Sequence, residues 1–315
     1  MRPAERLTIV GLGEVLFDVF EDGTQTLGGA PLNVAVHAHQ LAAPLGYGEG
    51  VVASRVGCDA RGREIVELLR ARGMATRYVQ EDREHPTGVV SVLMRNGEPG
   101  YQIEAGAAWD FIGASQELDE LAAKCDAVCF GSLAQRASGS RATIQRFLQQ
   151  APQALRLFDI NLRRNTLTHE EAYTAELIEE TCRLATMIKL NEAELAEVCG
   201  WYGVSPSVEY LSKRFPVKAV ILTRSEQGTT LFTQQGVCNG RERTARVGDA
   251  HPVGAGDACS AGVLFGLLMG WEPDEAVDLA NRMGAWVASQ VSATPMLPDD
   301  ILSFVQRTME AQPRA

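Results

Sequence analysis

From Glu117 onward this 315-residue chain repeats one pattern, a short apolar run followed by a longer stretch with helical spacing. Ala127 to Phe130, Leu155 to Ile160, Thr186 to Leu190 and Ala219 to Thr223 read as strands. Ser140 to Gln150, Glu170 to Leu184 and Ser207 to Phe215 read as the helices between them. Alternation of this kind predicts a mostly parallel sheet covered by helices on both faces. The N-terminal part holds similar pieces: strands at Leu7 to Gly13 and Val51 to Val56, and helices at Pro31 to Leu45 and Ala60 to Arg72. One stretch breaks the rhythm. Thr87 to Met94 and Tyr101 to Glu104 flank Arg95-Asn96-Gly97, and Asn-Gly between β-rich segments signals a hairpin. The chain ends in three helical stretches, Ala255 to Met269, Pro273 to Gln290 and Pro298 to Glu310. With no internal repeat and no Pro/Gly/Ser-rich linker, the expectation is one α/β domain, 1–315, carrying a small β excursion.

Composition narrows the partners. A chain that is 45% hydrophobic is not disordered, and a net charge of −11 argues against nucleic acid or an anionic membrane surface. The longest apolar stretch, Ala261 to Met269, is too short to span a bilayer, and the first residues lack a signal-peptide pattern, so a cytoplasmic protein is expected. Seven scattered cysteines suit neither a disulfide framework nor a zinc site; Cys125 and Cys129, the close pair, read as small buried hydrophobes.

Several nucleotide and hydrolase signatures are missing. The chain has no Gly-Lys dipeptide and hence no P-loop, and Leu16 stands where a dinucleotide fingerprint starting at Gly11 needs its third glycine. What remains is Gly254-Ala255-Gly256-Asp257 at the start of a small-residue helix. Glycine allows close backbone approach, and the first amides of a helix are unpaired donors with partial positive charge, so this turn can cradle phosphoryl oxygens without a lysine. Asp257 is placed to accept a proton from an attacking hydroxyl; the alternative is that it only caps the helix. Near the N-terminus, Gly13-Glu14, Asp18 and Gly28-Gly29 with Asn33 combine carboxylate and amide groups of the kind that grip a polyhydroxylated ligand; a plain turn and helix start is the other reading. Asp159 to Arg163 and Lys189 to Glu194 end successive predicted strands, where open parallel sheets bind ligands.

In this order the motifs resemble the ribokinase-like (PfkB) family of carbohydrate kinases, over roughly Ile9 to Pro298. Gly13-Glu14 with Asp18, Ala107-Ala108-Trp109, Asp159 to Arg163 and Lys189 to Leu195 are most similar to bacterial fructokinases. The resemblance implies a three-layer α/β/α sandwich with a small β lid, formed by segments near 14–27 and 86–111. It implies ATP-dependent phosphorylation of a sugar hydroxyl, first of all D-fructose to fructose 6-phosphate. The other acceptors are 2-keto-3-deoxygluconate, ribose or a nucleoside, and a non-catalytic sugar-binding homologue is the reading from another class. A phosphorylated acceptor would ask for more cations than Arg163, and a keto acid for a carboxylate partner that the sequence does not identify. Trp109 reads either as an aromatic wall for the sugar or as a core tryptophan.

By similarity, Asp257 is the base and the amides of Gly254, Ala255 and Gly256 form the anion hole. Asp18, Gly28, Gly29 and Asn33 fall at sugar-contacting positions, and Arg163 near the sugar or the transferred phosphate. Asn191 and Glu194 match the element that organises Mg2+ through water; Thr223, Gly228 and Asn281 lie beside the nucleotide. A homodimer through the lid is expected too. Two departures stand out. His251 and Pro252 replace the family's usual Asp-Thr, which leaves K+ activation in doubt unless Asp249 substitutes, and Ser225 replaces the first glycine of the nucleotide loop.

Overall fold

A computed structural model describes residues 6–95, 98–164, 173–240 and 253–311. The chain starts on β1 (Leu7–Leu12), leaves for the hairpin β2 (Leu16–Phe20) and β3 (Gln25–Gly28), and returns through α1 (Ala30–Ala42) to β4 (Gly48–Gly57). After α2 (Ala60–Ala71) and β5 (Val79–Asp82), a second excursion supplies β6 (Gly88–Arg95) and β7 (Glu98–Ile103). The regular alternation then runs α3 (Gln116–Lys124), β8 (Ala127–Gly131), α4 (Ser138–Gln150), β9 (Leu155–Asp159), α5 (Ala175–Leu184) and β10 (Met187–Asn191). It continues through α6 (Glu192–Gly200), α7 (Val208–Arg214) and β11 (Ala219–Thr223), with β12 (Thr229–Thr233) and β13 (Gly236–Cys238) at the sheet edge. Three helices close the chain: α8 (Ala255–Leu268), α9 (Pro273–Ala288) and α10 (Asp299–Ala311).

The main sheet has nine strands in the order β13-β12-β11-β10-β9-β8-β1-β4-β5, parallel from β11 to β5 and antiparallel at β12 and β13. Successive strand residues feed two separate cores. Val10, Val128, Phe158, Ile188 and Val220 pack against α3 to α7, while Ile9, Cys129, Leu157, Met187 and Ile221 pack against α1 and α8 to α10. The result is the expected three-layer sandwich. From β1 the chain winds outward to β4 and β5, and from β8 it winds the other way. That reversal opens a crevice at the carboxyl ends of β1 and β8, the place where such sheets take ligands.

The small-residue character of α8 has a packing reason. A Cβ added at Gly262 would lie 2.8 Å from the Cα of Ala280, so glycine lets α8 press directly against α9. A second sheet of four strands, β3-β2-β6-β7, stands over the crevice and turns Leu16, Asp18, Val90, Val92 and Ile103 toward it. This is the expected β lid.

Several boundaries differ from the sequence expectation. The helix expected over Pro31 to Leu45 ends at Ala42, because the amide of Gly46 folds back onto the carbonyl of Ala43. The helix expected from Glu170 begins at Ala175, where the Thr174 side chain caps the amide of Leu177; residues 170–172 are outside the described set. Asn96 and Gly97, the expected hairpin turn, also lie outside it, while the flanking strands pair antiparallel. The sequence spacing alone marks none of β2, β3, β5, α3, α6, β12 and β13.

Candidate active site

Helix α8 opens without a capping side chain. Gly254 occupies its N-cap position at φ 82°, and a Cβ there would come within 2.7 Å of the Ala293 carbonyl oxygen. Only glycine fits that left-handed, crowded position. With no side chain to neutralise them, the leading amides of Ala255, Gly256 and Asp257 keep their partial positive charge at the crevice. Asp257 does not cap this helix. It sits in the first turn, and its Oδ2 accepts a 2.8 Å hydrogen bond from Asn33 Nδ2 on α1, which points the carboxylate across the crevice. The Oδ1 of Asn33 is buried and has no partner among the described residues.

Beneath the start of α8 lies a buried ion pair. Lys189, from β10, places Nζ 3.1 and 3.0 Å from the two carboxylate oxygens of Asp159 on β9. A Cβ added at Gly256 would stand 3.0 Å from that Nζ, so the ammonium group underlies the glycine turn that opens α8. On the other side, Glu14 follows β1 at the point where the winding reverses. It is 2% exposed, lies beside Gly131 at the end of β8, and its Oε2 has no hydrogen-bond partner among the described residues. The next lid residues complete this end. A Cβ at Gly28 would meet Asp18 Oδ2 at 2.9 Å, and one at Gly29, which has φ 113°, would meet the Glu14 carbonyl at 2.4 Å.

Toward β11 the groups change. Asn191 caps α6 by accepting from the Glu194 amide at 2.9 Å, and Glu194 returns a carboxylate oxygen to the Asn191 amide at 2.8 Å. The other Glu194 oxygen accepts from the Leu162 amide at 3.0 Å. The pair is thus a capping box that also anchors the loop after β9. Thr223 ends β11, and Asn281 of α9 accepts at 2.8 Å from the Thr229 amide just past Gly228. Ser225 takes φ 47°, the left-handed conformation that a glycine would adopt freely. The loop therefore keeps a glycine-like backbone with serine in place.

All of the predicted site residues line one cleft of about 1860 Å³: Asp18, Gly28, Gly29, Asn33, Arg163, Asn191, Glu194, Thr223, Gly228, Gly254, Ala255, Gly256, Asp257 and Asn281. A volume well above the roughly 300–1,000 Å³ of a single small-molecule site suits two ligands side by side. His251, Pro252 and Asp249, on which the potassium question turned, lie outside the described residues. Trp109 is not a wall of the cleft: it is 1% exposed in the core, with the Arg136 guanidinium 4.2 Å above its ring. Cys125 and Cys129 are buried free thiols in separate cores, as expected of small hydrophobes.

Burial dominates the electrostatics. Desolvation raises Asp257 to about 6, against the opposing pull of Lys189 and with a further push from Asp159. Glu14 rises to about 7 and Asp18 to about 6 for the same reason, and Arg163 draws both back down. Glu194 is also raised by burial, with Lys189 opposing. For Lys189 burial works downward, yet Asp159, Asp257 and Glu194 outweigh it and hold the ammonium form. The sequence marks Glu14 as part of a ligand-gripping cluster and Asp159 and Lys189 as polar ends of successive strands, but assigns none of the three an individual role.

Comparison with known proteins points the same way. The family model of pfkB family carbohydrate kinases matches residues 15–300. A fructokinase of Klebsiella pneumoniae is 29% identical over 306 residues, 92% of this chain and 96% of that one. A 2-dehydro-3-deoxygluconokinase of Thermoproteus tenax is 27% identical over 253 residues, 78% of this chain and 75% of its own. Among solved structures, fructokinase with bound ATP from Xylella fastidiosa superposes with a TM-score of 0.81 at 20% identity, covering 95% of this chain and 98% of that one. With the sheet order, the overlying lid and the uncapped glycine start of α8 accounted for along almost its whole length, the chain belongs to the PfkB family of carbohydrate kinases.

Proposed function

We propose that this carbohydrate kinase transfers the γ-phosphoryl group of ATP to a hydroxyl of D-fructose, giving fructose 6-phosphate, with Asp257 as the general base. The observation that carries this reading is the joint position of Asp257 and the uncapped amides of α8 in one cleft. An acceptor hydroxyl between Asn33, Asp18 and Asp257 can give its proton to Asp257 as its oxygen attacks phosphorus. The amides of Gly254, Ala255 and Gly256, with Arg163 at the cleft mouth, then oppose the charge that develops on the phosphoryl oxygens. Thr223, Gly228 and Asn281 sit where the nucleoside end of ATP would lie, at the far side of the cleft. The lid excludes water, the competing acceptor. We extend the reading to a homodimer joined through the lid sheet, in the cytoplasm.

Among the described residues no three His, Cys, Asp or Glu side chains form a metal cage. Asn191 and Glu194 line the cleft, and they would serve as outer contacts to a Mg2+ that arrives on the phosphates and keeps much of its water. When bound, the ion supplies charge neutralisation to the phosphates.

The pH profile follows from the sign of the Asp257 shift. A base must be deprotonated to act, and burial lifts this carboxyl to about 6, so kcat/KM should climb as pH rises through 6 and level off above 7. At pH 5 about a tenth of the plateau is expected, because one unit below the pKa roughly a tenth of the base is free. An acid limb near 4 would show that the base is not this buried group. Acceptor identity is tested with a sugar panel, Mg2+ and ATP, reading ADP release by a coupled assay. D-fructose should give the highest kcat/KM; turnover only with ribose or nucleosides would refute the acceptor, and turnover with nothing would refute the kinase.

A further inference from the structure

The acceptor end of the cleft holds a buried acid, Glu14, that neither the transfer mechanism nor the Lys189–Asp159 ion pair uses. Glu14 stands at the winding reversal between β1 and β8, with its backbone against Gly29 and its carboxyl beside Gly131. Although it is 2% exposed, its Oε2 meets no donor among the described residues. The Oδ1 of Asn33, also buried and unmet, lines the same cleft. An unsatisfied buried acceptor is costly, and two of them at one end of a cleft ask for a ligand that brings donors. Hydroxyl groups are such donors. Charge adds a second constraint. Glu14, Asp18, Asp159 and Asp257 share this end with two cations, Lys189 and Arg163, and Lys189 is already held by Asp159. A further carboxylate or phosphate on the acceptor would enter a surplus of acid.

We propose that Glu14 is a specificity-determining residue: its carboxyl group hydrogen bonds a hydroxyl of the acceptor, and with Asp18 it restricts the site to uncharged polyols, rejecting sugar acids and sugar phosphates. This rests on the kinase reading above and sharpens it, because it separates a neutral ketohexose from the keto acid that the Thermoproteus relative's name contains. The chemistry is recognition only; the attacked phosphorus and the departing ADP are untouched by Glu14.

The test compares wild type and Glu14→Gln in steady-state kinetics with D-fructose and with 2-keto-3-deoxygluconate, and in thermal unfolding with each compound. Losing one charged hydrogen bond to the acceptor should raise KM for fructose roughly 10–100-fold, with a smaller fall in kcat. The keto acid should be used at least ~10-fold less efficiently than fructose by wild type, and that ratio should shrink in the variant. Fructose should raise the wild-type Tm more than that of the variant, whose ligand-free Tm should not fall. An unchanged fructose KM, or wild type preferring the keto acid, overturns the proposal. If wild type phosphorylates nothing, the kinase reading fails by itself, and the thermal shifts still decide: stabilisation by fructose in wild type but not in Glu14→Gln supports the role of Glu14. Equal shifts in both proteins, a shift with the keto acid alone, or no shift at all refute it. Should Glu14→Gln not fold, the wild-type acceptor ratio carries the test, and Glu14→Asp supplies the kinetic comparison.

Discussion

Asp257→Asn should fold, bind ATP with near-normal affinity and lose turnover by a factor of about 10²–10⁴, the usual contribution of a positioned general base. The substitution keeps shape: the new Oδ1 can still accept from Asn33 Nδ2, now at 2.8 Å from the carboxylate, so the crevice need not rearrange. It also removes a buried carboxyl, so the variant should be no less stable than wild type to heat. Taken as a barrier, a thousandfold loss is about 4 kcal/mol, far more than repositioning a well-held sugar would cost. The acid limb of the pH profile should vanish with the carboxylate. A variant that retains turnover would show that Asp257 is not the base; one that loses ATP binding would place Asp257 in nucleotide recognition instead.

Lys189→Met should damage both stability and activity. The lysine is a buried cation at 3.0 Å from Asp159, and its charge also holds down Asp257 and Glu194. Removing one member of a buried pair leaves the other uncompensated, at a cost of about 3–5 kcal/mol. In a chain of 315 residues that corresponds to a fall in Tm of roughly 5–8 °C. Losing the cation also pushes the Asp257 carboxyl further up, so residual activity should need a higher pH than wild type. Lys189→Met combined with Asp159→Leu separates the effects, because two matched apolar residues can replace a buried pair with little loss of stability. The double variant should recover much of the lost Tm and none of the lost turnover. Full recovery of turnover would show that the pair serves packing alone.

How far the site was legible in the sequence depends on how local each interaction is. The glycine start of α8 was readable because its chemistry lies in adjacent residues: an uncapped helix end and a left-handed N-cap are properties of Gly254-Ala-Gly-Asp257 itself. The regular strands were readable for the same reason, with Ala219–Thr223 matching end to end. What escaped were contacts made across the fold. Asn33 reaches Asp257 over 224 residues, and Lys189 reaches Asp159 over 30, from the ends of neighbouring parallel strands. Nothing in either segment announces its partner. Glu14 reads in the sequence as one of several groups that could grip a polyhydroxylated ligand, but only the reversal between β1 and β8 sets it beside Gly131 in the crevice. Helix α6 shows a different failure. Its start, Asn191-x-x-Glu194, is a capping-box pattern in plain view, yet the apolar spacing behind it is too short to mark the helix that the box opens. Ser225 shows that a departure from a motif need not change the backbone, since serine there adopts the conformation of the glycine it replaces.

The most direct test of the central claim is the fate of the transferred group. Wild-type protein incubated with Mg2+, ATP and D-fructose is followed by phosphorus NMR, with ADP measured in the same sample. Transfer from an α8 cradle to a hydroxyl held by Asp257 predicts one new phosphomonoester, coupled to the C6 protons of the sugar, in equal amount with ADP. ADP accompanied by inorganic phosphate alone, or no loss of ATP with any sugar, would contradict it.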